Sequence, residues 1–217
     1  MPLTRRLTLL AFAAVLAGCA TSTANLSTAT VGDYRDTIDL SGKLSVNYQK
    51  DGRQESITGN FNWEQRPEAI DVALISPLGQ TVATINVTPN AATLVQGGQE
   101  RTAGDIDSLT QETLGWPLPV SGLRDWLQGY ALDAQGQRFR ASPANNSVTT
   151  RDGWRLRFVE WQDPGASQPV PRLIQAERAA SGDITDLAIR IVILPAAWSM
   201  RSLDDGPAPA QLNLFLH

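Results

Sequence analysis

The sequence predicts a mainly β fold in which antiparallel strands form one large sheet. Three observations lead to this prediction. Apolar residues alternate with polar ones in several runs, turn-forming pairs separate these runs, and helical spacing is concentrated between residues 103 and 130. The 217 residues suit one such domain with tails, and a hydrophobic content of 42% is enough for a large core.

The first predicted strands lie between residues 41 and 96. Asp51-Gly52 is a typical two-residue hairpin loop between the first two. Pro77-Leu78-Gly79 is a second turn, in which Pro77 sets φ and Gly79 tolerates the closing position. The alternating apolar residues before Gly97-Gly98, which would share one face of the sheet, include Leu44, Val46, Tyr48, Ile57, Phe61, Trp63, Ile70, Val72, Leu74, Ala83, Ile85 and Val87.

The middle of the chain predicts two short helices. Asp105 is the predicted N-cap of the first and Ser121 of the second, with Pro119 breaking the chain between them. The apolar residues at helical spacing are Ile106, Leu109 and Leu114 in the first helix, and Leu123, Trp126 and Leu127 in the second. A further short helix is predicted near Tyr34–Ile38.

The remaining strands follow the helices. They are predicted at Arg138–Ala141, around Trp154 and Phe158, at Leu173–Ala179, and at Ile184–Leu194, where Ile189 and Ile191 share a face. The total is nine or ten strands. One face of so large a sheet must be covered, so either the sheet closes as a barrel or the helices lie across its concave side.

The N-terminus predicts a bacterial lipoprotein. Arg5 and Arg6 precede an apolar run at residues 7–18, which is short for a membrane span. The run ends in Leu16-Ala17-Gly18-Cys19, and small residues before a cysteine match the lipoprotein cleavage signal. An ordinary secretory signal with a chance cysteine is the alternative. Cys19 is the only cysteine, and its place at the cleavage point favours lipidation.

The predicted organisation has four parts. Residues 1–18 are the signal peptide, 19–35 the lipidated N-terminus and a small, polar tether, 36–200 the folded domain, and 201–217 a C-terminal tail. Ala20 stands where an Asp retains Gram-negative lipoproteins in the inner membrane, which by analogy favours the periplasmic face of the outer membrane with Cys19 as anchor.

Composition excludes several function classes. Without Arg5 and Arg6 the chain has 16 basic and 22 acidic residues, a net charge of −6, which argues against nucleic-acid binding and against electrostatic attraction to anionic lipid. The single histidine, His217, is the last residue, so neither a Ser-His pair nor a histidine metal site can be assembled convincingly. We therefore expect no catalytic site, no metal and no cofactor, and a function in binding.

Five segments in a fixed order carry a family resemblance. They are "SGKLSV", "ITGNFNWEQ", "LISPLGQT", "GWPLPVSGLRDWLQGY" and "RDGWRLRF". With the lipoprotein signal, this order resembles the LolB family of outer-membrane lipoprotein receptors from about Gly42 to Trp198. The resemblance implies an incomplete antiparallel β-barrel with a helical lid over an apolar cavity. It also implies that a monomer receives lipoprotein cargo from the soluble periplasmic carrier LolA and inserts it into outer-membrane lipid.

The resemblance also assigns roles to residues. The family's protruding leucine falls on Leu78, so Pro77, Leu78 and Gly79 are the predicted membrane-insertion loop. Periodicity alone leaves open whether the inward residues pack a filled core or line a ligand cavity, and the resemblance favours the cavity. The predicted acyl-chain lining is Leu44, Val46, Phe61, Trp63, Val72, Leu74, Trp126, Leu127, Trp154, Phe158, Ile189 and Ile191.

Two other functions stay open. The first is a structural lipoprotein of an envelope assembly complex, which would have a filled core and bind proteins through its surface. The second is a lipid-acting enzyme such as an esterase, against which the lack of an internal histidine argues.

Overall fold

A computed structural model describes residues 26–50, 52–114, 119–179 and 184–195. In these residues two helices accompany twelve strands, ten of which form one antiparallel sheet. The helices are α1 (Ile106–Leu114) and α2 (Val120–Trp126). The strands are β1 (Ile38–Lys50), β2 (Arg53–Arg66), β3 (Ala69–Ile75), β4 (Thr81–Thr88), β5 (Ala91–Gln96), β6 (Gln99–Ala103), β7 (Tyr130–Leu132), β8 (Arg138–Arg140), β9 (Ser147–Thr149), β10 (Arg155–Trp161), β11 (Pro171–Arg178) and β12 (Ile184–Ile193).

The large sheet is an open half-barrel. Its strand order is β6-β5-β4-β3-β2-β1-β12-β11-β10-β9, and β7 and β8 form a separate pair. Consecutive hairpins join β1 to β6, and β12 returns to pair with β1, with Leu44 opposite Ile191 and Val46 opposite Ile189. Within the described residues, β6 and β9 are the two edges and do not pair with each other. The predicted incomplete antiparallel barrel with a helical lid is therefore confirmed.

Alternation along the strands places apolar side chains on the concave face. Along β2, Phe61, Trp63 and Gln65 are buried, whereas Asn62 and Glu64 between them are exposed. The buried polar groups on this face have partners, because the Trp63 indole Nε1–H donates to Gln65 Oε1 over 3.3 Å and Gln65 Nε2 donates to Tyr34 Oη over 3.2 Å. The core of the domain thus lies between the concave face and the helices.

Helix α1 begins as the sequence predicts. The Ser108 backbone N–H donates to Asp105 Oδ1 over 2.8 Å, and its hydroxyl donates to Oδ2 over 2.7 Å. These hydrogen bonds hold the pKa of Asp105 below its ordinary value. Ile106 and Leu109 are buried, and the helix packs against β5 and β6.

Helix α2 begins differently from the prediction. Pro119 is its N-cap and provides no side-chain hydrogen bond, so the expected Ser121 cap is wrong. The Ser121 hydroxyl instead donates to the carboxylate of Asp107 over 3.0 Å, which ties the start of α2 to the first turn of α1. Burial is the main cause that raises the pKa of Asp107, and the hydrogen bond from Ser121 offsets part of that shift.

Asp107→Asn is expected to be at least as stable as the wild type at pH 7. A carboxyl whose pKa is raised by folding is stabilising when protonated, and this contribution is lost as pH rises through its folded pKa. The amide oxygen of Asn still accepts the Ser121 hydrogen bond, so only the charge is removed. Thermal unfolding from pH 7 to pH 3 should show the two proteins converging toward acid pH. A less stable Asn variant at pH 7 would show that the stabilising interactions of the charged Asp107 carboxylate exceed the cost of burying it.

Two predictions about minor elements are wrong. No helix forms near Tyr34–Ile38, because β1 begins at Ile38 and the residues before it have no regular secondary structure. The Val31 N–H there donates to the Ala141 carbonyl over 2.9 Å. Strands β6, β7 and β9 were not predicted, since β7 and β9 have three residues each, too few to show a period, and β6 has no alternating apolar residues.

Several predicted features lie outside the described residues. These are the signal peptide, Cys19, Asp51 of the first hairpin loop, and the tail at 201–217. Across the part of the chain that the structure covers, no helix combines the length and apolar character needed to cross a membrane.

Candidate functional site

The turn between β3 and β4 holds Leu78 at its tip. The Ser76 N–H donates to the Gln80 carbonyl over 2.8 Å, and the Gly79 N–H donates to the Ser76 carbonyl over 2.9 Å. Gly79 has a φ of 84°, a conformation that favours glycine. The Leu78 side chain is 89% exposed, so it does not fold back onto its own hairpin. The turn therefore presents a large apolar side chain to solvent.

An apolar cavity of about 30 Å³ lies between α2 and the concave face. The sheet forms one wall and α2 with its C-terminal residue Leu127 forms the other. Every residue around it is apolar: Leu44, Phe61, Trp63, Val72, Leu74, Ile85, Val120, Leu123, Leu127 and Ile191.

The structure brings seven of the twelve predicted lining residues together around this cavity and places the other five elsewhere in the core. Trp126 turns away from the cavity and packs edge-on against Trp154, with ring centroids 5.7 Å apart. Phe158 stacks on Phe139 at 6.3 Å. Val46 and Ile189 are a buried cross-strand pair. A role of the predicted lining residues in binding stays a prediction.

Sequence reasoning missed three residues around the cavity. Ile85 and Leu123 are among the periodic apolar residues of β4 and α2. That period predicts that they are buried, but it does not show which residues or which cavity they face. Val120 directly follows Pro119, and its position in the first turn of α2 became visible only with the observed start of that helix.

The cavity is narrow in the described structure. A volume of about 30 Å³ has room for only a few water molecules. A ligand larger than this volume fits between α2 and the sheet only if the two separate. Helix α2 has seven residues and lacks a side-chain N-cap, but its movement would break the hydrogen bonds from Ser121 to Asp107 and from Arg124 to Tyr34 Oη and the Pro67 carbonyl.

The concave face opens toward the end of the sheet that carries the 76–80 turn, here called the Leu78 end. Along the inward side of β2, Trp63 is 1% exposed and Phe61 5%, whereas Ile57, nearer this end, is 46% exposed. Leu44 and Leu74, the cavity residues nearest the opening, are half-buried. The mouth of the cavity therefore faces the Leu78 turn on the side of β2 and β3, whereas Val46 of β1, opposite Ile57, is buried.

Two larger depressions have a different chemistry. One of about 750 Å³ lies near the start of β1 and includes the charged residues Asp33, Arg35, Asp39 and Glu64. Another of about 450 Å³ lies between α2 and the β9–β10 turn and contains Asp107, Asp152 and Arg178. An acyl chain gains its binding energy from leaving water for apolar surface, so the small apolar cavity suits it better than either depression despite its size.

Comparison with known proteins gives consistent matches. The family model described as "Outer membrane lipoprotein LolB" matches residues 36–195. Among curated proteins, the outer-membrane lipoprotein LolB of Cupriavidus pinatubonensis is 40% identical over 199 residues, which cover 88% of this chain and 95% of the relative. That of Chromobacterium violaceum is 33% identical over 190 residues, covering 87% and 97%.

Several solved structures are also similar. One of them is a LolA superfamily protein from Nitrosomonas europaea, with a TM-score of 0.42 and 8% identity, covering 72% of this chain and 84% of that one.

Proposed function

Since the chain belongs to the LolB family of outer-membrane lipoproteins, we propose that it accepts lipoproteins by enclosing their acyl chains and inserts them into the outer membrane. A soluble periplasmic carrier, the LolA protein, delivers the cargo. The observation that carries this proposal is the apolar cavity under α2, which continues into a concave face open at the Leu78 end.

The energetics require such an enclosure. Each CH₂ group buried from water is worth about 0.8 kcal/mol, so an acyl chain of about sixteen carbons represents on the order of 10 kcal/mol. A triacylated protein therefore does not cross an aqueous compartment unshielded. The receptor must offer comparable apolar surface, and it does so when α2 moves away and exposes Leu123 and Leu127 together with the sheet residues opposite them.

Delivery to the membrane uses Leu78. One leucine inserted into lipid yields roughly 1.5–3 kcal/mol, which is too little to anchor a protein but enough to bias the direction in which cargo leaves. The mature chain carries a net negative charge, so an apolar contact is better suited to anionic lipid than a general electrostatic one. Because the turn stands beside the mouth of the cavity, the contact and the exit of cargo occur at one place.

The proposed function is tested by transfer in vitro. A labelled lipoprotein bound to the soluble carrier is mixed with the purified mature protein, and the label is followed by separation of the two proteins. We expect the label to move to this protein and then, on addition of liposomes, to the lipid. Label that stays with the carrier would contradict the proposal.

One observation favours a second candidate, a structural lipoprotein of an envelope assembly complex. The cavity of about 30 Å³ is nearly filled, as in an ordinary core. The same transfer experiment separates the two, because a structural protein would stay without label while remaining folded. An esterase is a third candidate class. That the protein has no esterase activity stays a prediction, made from the lack of an internal histidine.

Cys19→Ala in a chain without the signal peptide is expected to give a soluble protein that still accepts cargo. The predicted acyl anchor is attached at the end of the polar tether, apart from the cavity, and so supplies attachment only. Transfer of labelled lipoprotein from the carrier to this variant, measured beside the lipidated protein in detergent, checks the expectation. A folded variant that takes no label would show that the anchor takes part in acceptance.

A further inference from the structure

Strand β2 extends beyond its neighbour β3 at the Leu78 end. Thirteen of the fourteen residues of β2 pair with β1, from Arg53 opposite Lys50 to Gln65 opposite Ile38. Pairing with β3 covers only Asn60 to Arg66. Among the described residues, Arg53–Thr58 therefore have a strand partner on one side alone, and all six are exposed. We call this segment the free edge of β2.

The backbone groups that face outward along the free edge follow from the hairpin geometry. Lys50 and Arg53 pair across two intervening residues, and a two-residue loop closes on a pair whose N–H and C=O groups bond to each other. Alternation from that pair directs the N–H and C=O of Gln54, Ser56 and Thr58 away from β1. The 3.5 Å approach of Thr58 Oγ1 to Ser45 Oγ agrees with this, because facing side chains lie closer at positions that lack backbone bonds.

The free edge begins where the mouth of the cavity lies. Gly59, the next residue, is opposite Leu44 of the cavity lining. A Cβ atom at Gly59 would lie 2.8 Å from the Ile75 carbonyl oxygen, so glycine here allows the end of β3 to approach β2 before the chain turns away toward Leu78. Six residues of strand span about 20 Å. The edge thus runs from the mouth outward along the hairpin.

We propose that the free edge of β2 binds the peptide segment that follows the lipidated cysteine of a lipoprotein cargo, by adding it as an extended strand. This inference rests on the proposed function. When the acyl chains lie in the cavity, the attached peptide leaves through the mouth, and the free edge is the backbone surface beside it. Strand addition uses main-chain hydrogen bonds, so one edge serves cargo proteins of different sequence.

The chemistry of lipoprotein tethers fits this edge. In this chain the residues after Cys19, from Ala20 to Asp33, are mostly small and polar, and those described, from Leu26 onward, adopt no helix. Such a segment adopts a strand without steric conflict. Protein edges are usually protected by charges or proline. The free edge has Arg53 and Glu55 near its tip, but Ser56-Ile57-Thr58 beside the mouth carries neither.

The test compares two synthetic lipopeptides on the full mature chain with Cys19→Ala. Both carry the same triacylated cysteine, one followed by a single serine and the other by eight small polar residues. We expect the long lipopeptide to bind about tenfold more tightly or better, because several hydrogen bonds are added. N-methylation of alternate residues in the long peptide, in both registers, should abolish the gain in at least one register.

Ser56→Pro, with Ser56→Ala as its control, tests the edge itself. Proline removes an outward N–H and is tolerated on edge strands, whereas alanine keeps the N–H and removes only the hydroxyl. We expect Ser56→Pro to lose the advantage of the long lipopeptide and to keep wild-type binding of the short one. Thermal unfolding reports whether the variant is folded, and the N-methylated peptides decide the matter if it is not.

The outcomes separate the two proposals. If neither lipopeptide binds the Cys19→Ala chain with Ser56 unchanged, the proposed function fails. If both bind equally tightly, the function stands and the strand-addition inference is overturned. A dimer that forms through the free edge in sedimentation experiments, and is not displaced by the long lipopeptide, would also overturn it and assign the edge to a second copy of the chain.

Discussion

Leu78→Glu is expected to accept lipoprotein from the carrier like the wild type and to insert little of it into liposomes. Leu78 is 89% exposed in a turn whose hydrogen bonds come from Ser76, Gly79 and Gln80, so the substitution removes no packing. Loss of about 1.5–3 kcal/mol of lipid contact, together with the added cost of placing a carboxylate at the membrane, predicts a fall in insertion of at least tenfold. Release of label into liposomes is the measurement.

Leu132→Glu is the matched control for this substitution. Leu132 is also exposed, at 53%, but lies on β7, which pairs with β8 apart from the large sheet, so it adds the same charge outside the β3–β4 turn. Insertion by Leu132→Glu should stay at the wild-type level. Normal insertion by Leu78→Glu would contradict the membrane role, and a large drop in its melting temperature would show that Leu78 contributes to the fold.

Leu44→Glu is expected to abolish acceptance of cargo at a moderate cost in stability. Leu44 lines the cavity near its mouth and is half-buried, so a carboxylate there reaches water in the free protein. With an acyl chain bound, the same carboxylate would be desolvated against hydrocarbon, at a cost of several kcal/mol. Binding of a fluorescent fatty acid and of labelled lipoprotein should each weaken by about 100-fold or more.

Ser45→Glu provides the control, because Ser45 is the next residue of β1 and faces the convex side. It should bind acyl chains like the wild type. Leu44 is also a better position for the charge than Leu127. Leu127 is 3% exposed, so a glutamate there would destabilise the whole domain and not only the site. If Leu44→Glu binds acyl chains normally while remaining folded, the cavity under α2 is not the acyl-chain site.

Sequence alone predicted the sheet because its information is local. Period-two alternation identifies the inward residues of β1 to β5, and the hairpin pairs at Gly52 and Gly79, both with positive φ, fix where the strands reverse. The Asp105 cap was predictable for the same reason, since its partner Ser108 is three residues away. The predicted Ser121 N-cap was wrong because the Ser121 hydroxyl donates to Asp107 on the other helix. No rule based on neighbouring residues reveals such a partner.

The cavity was only partly predictable, because alternation gives the face of a residue and not its neighbours. Leu44 and Val46 have the same period and the same strand, yet only Leu44 borders the cavity while Val46 lies one layer further along. Which layer α2 covers depends on how a seven-residue helix crosses the sheet. The exposure of Leu78 was likewise undecided by sequence, since a leucine in a turn packs backward as readily as it protrudes.

The unpaired edges β6 and β9 determine how the interior volume responds to its contents. In a closed barrel the circumference is fixed by the number of strands and their stagger, so the lumen has one size. The described strands form no such ring, and the curvature of the sheet is therefore an adjustable quantity that changes by small shifts in twist between neighbouring strands. In a receptor with an open sheet, the interior volume can therefore adjust to the length and number of the acyl chains that enter.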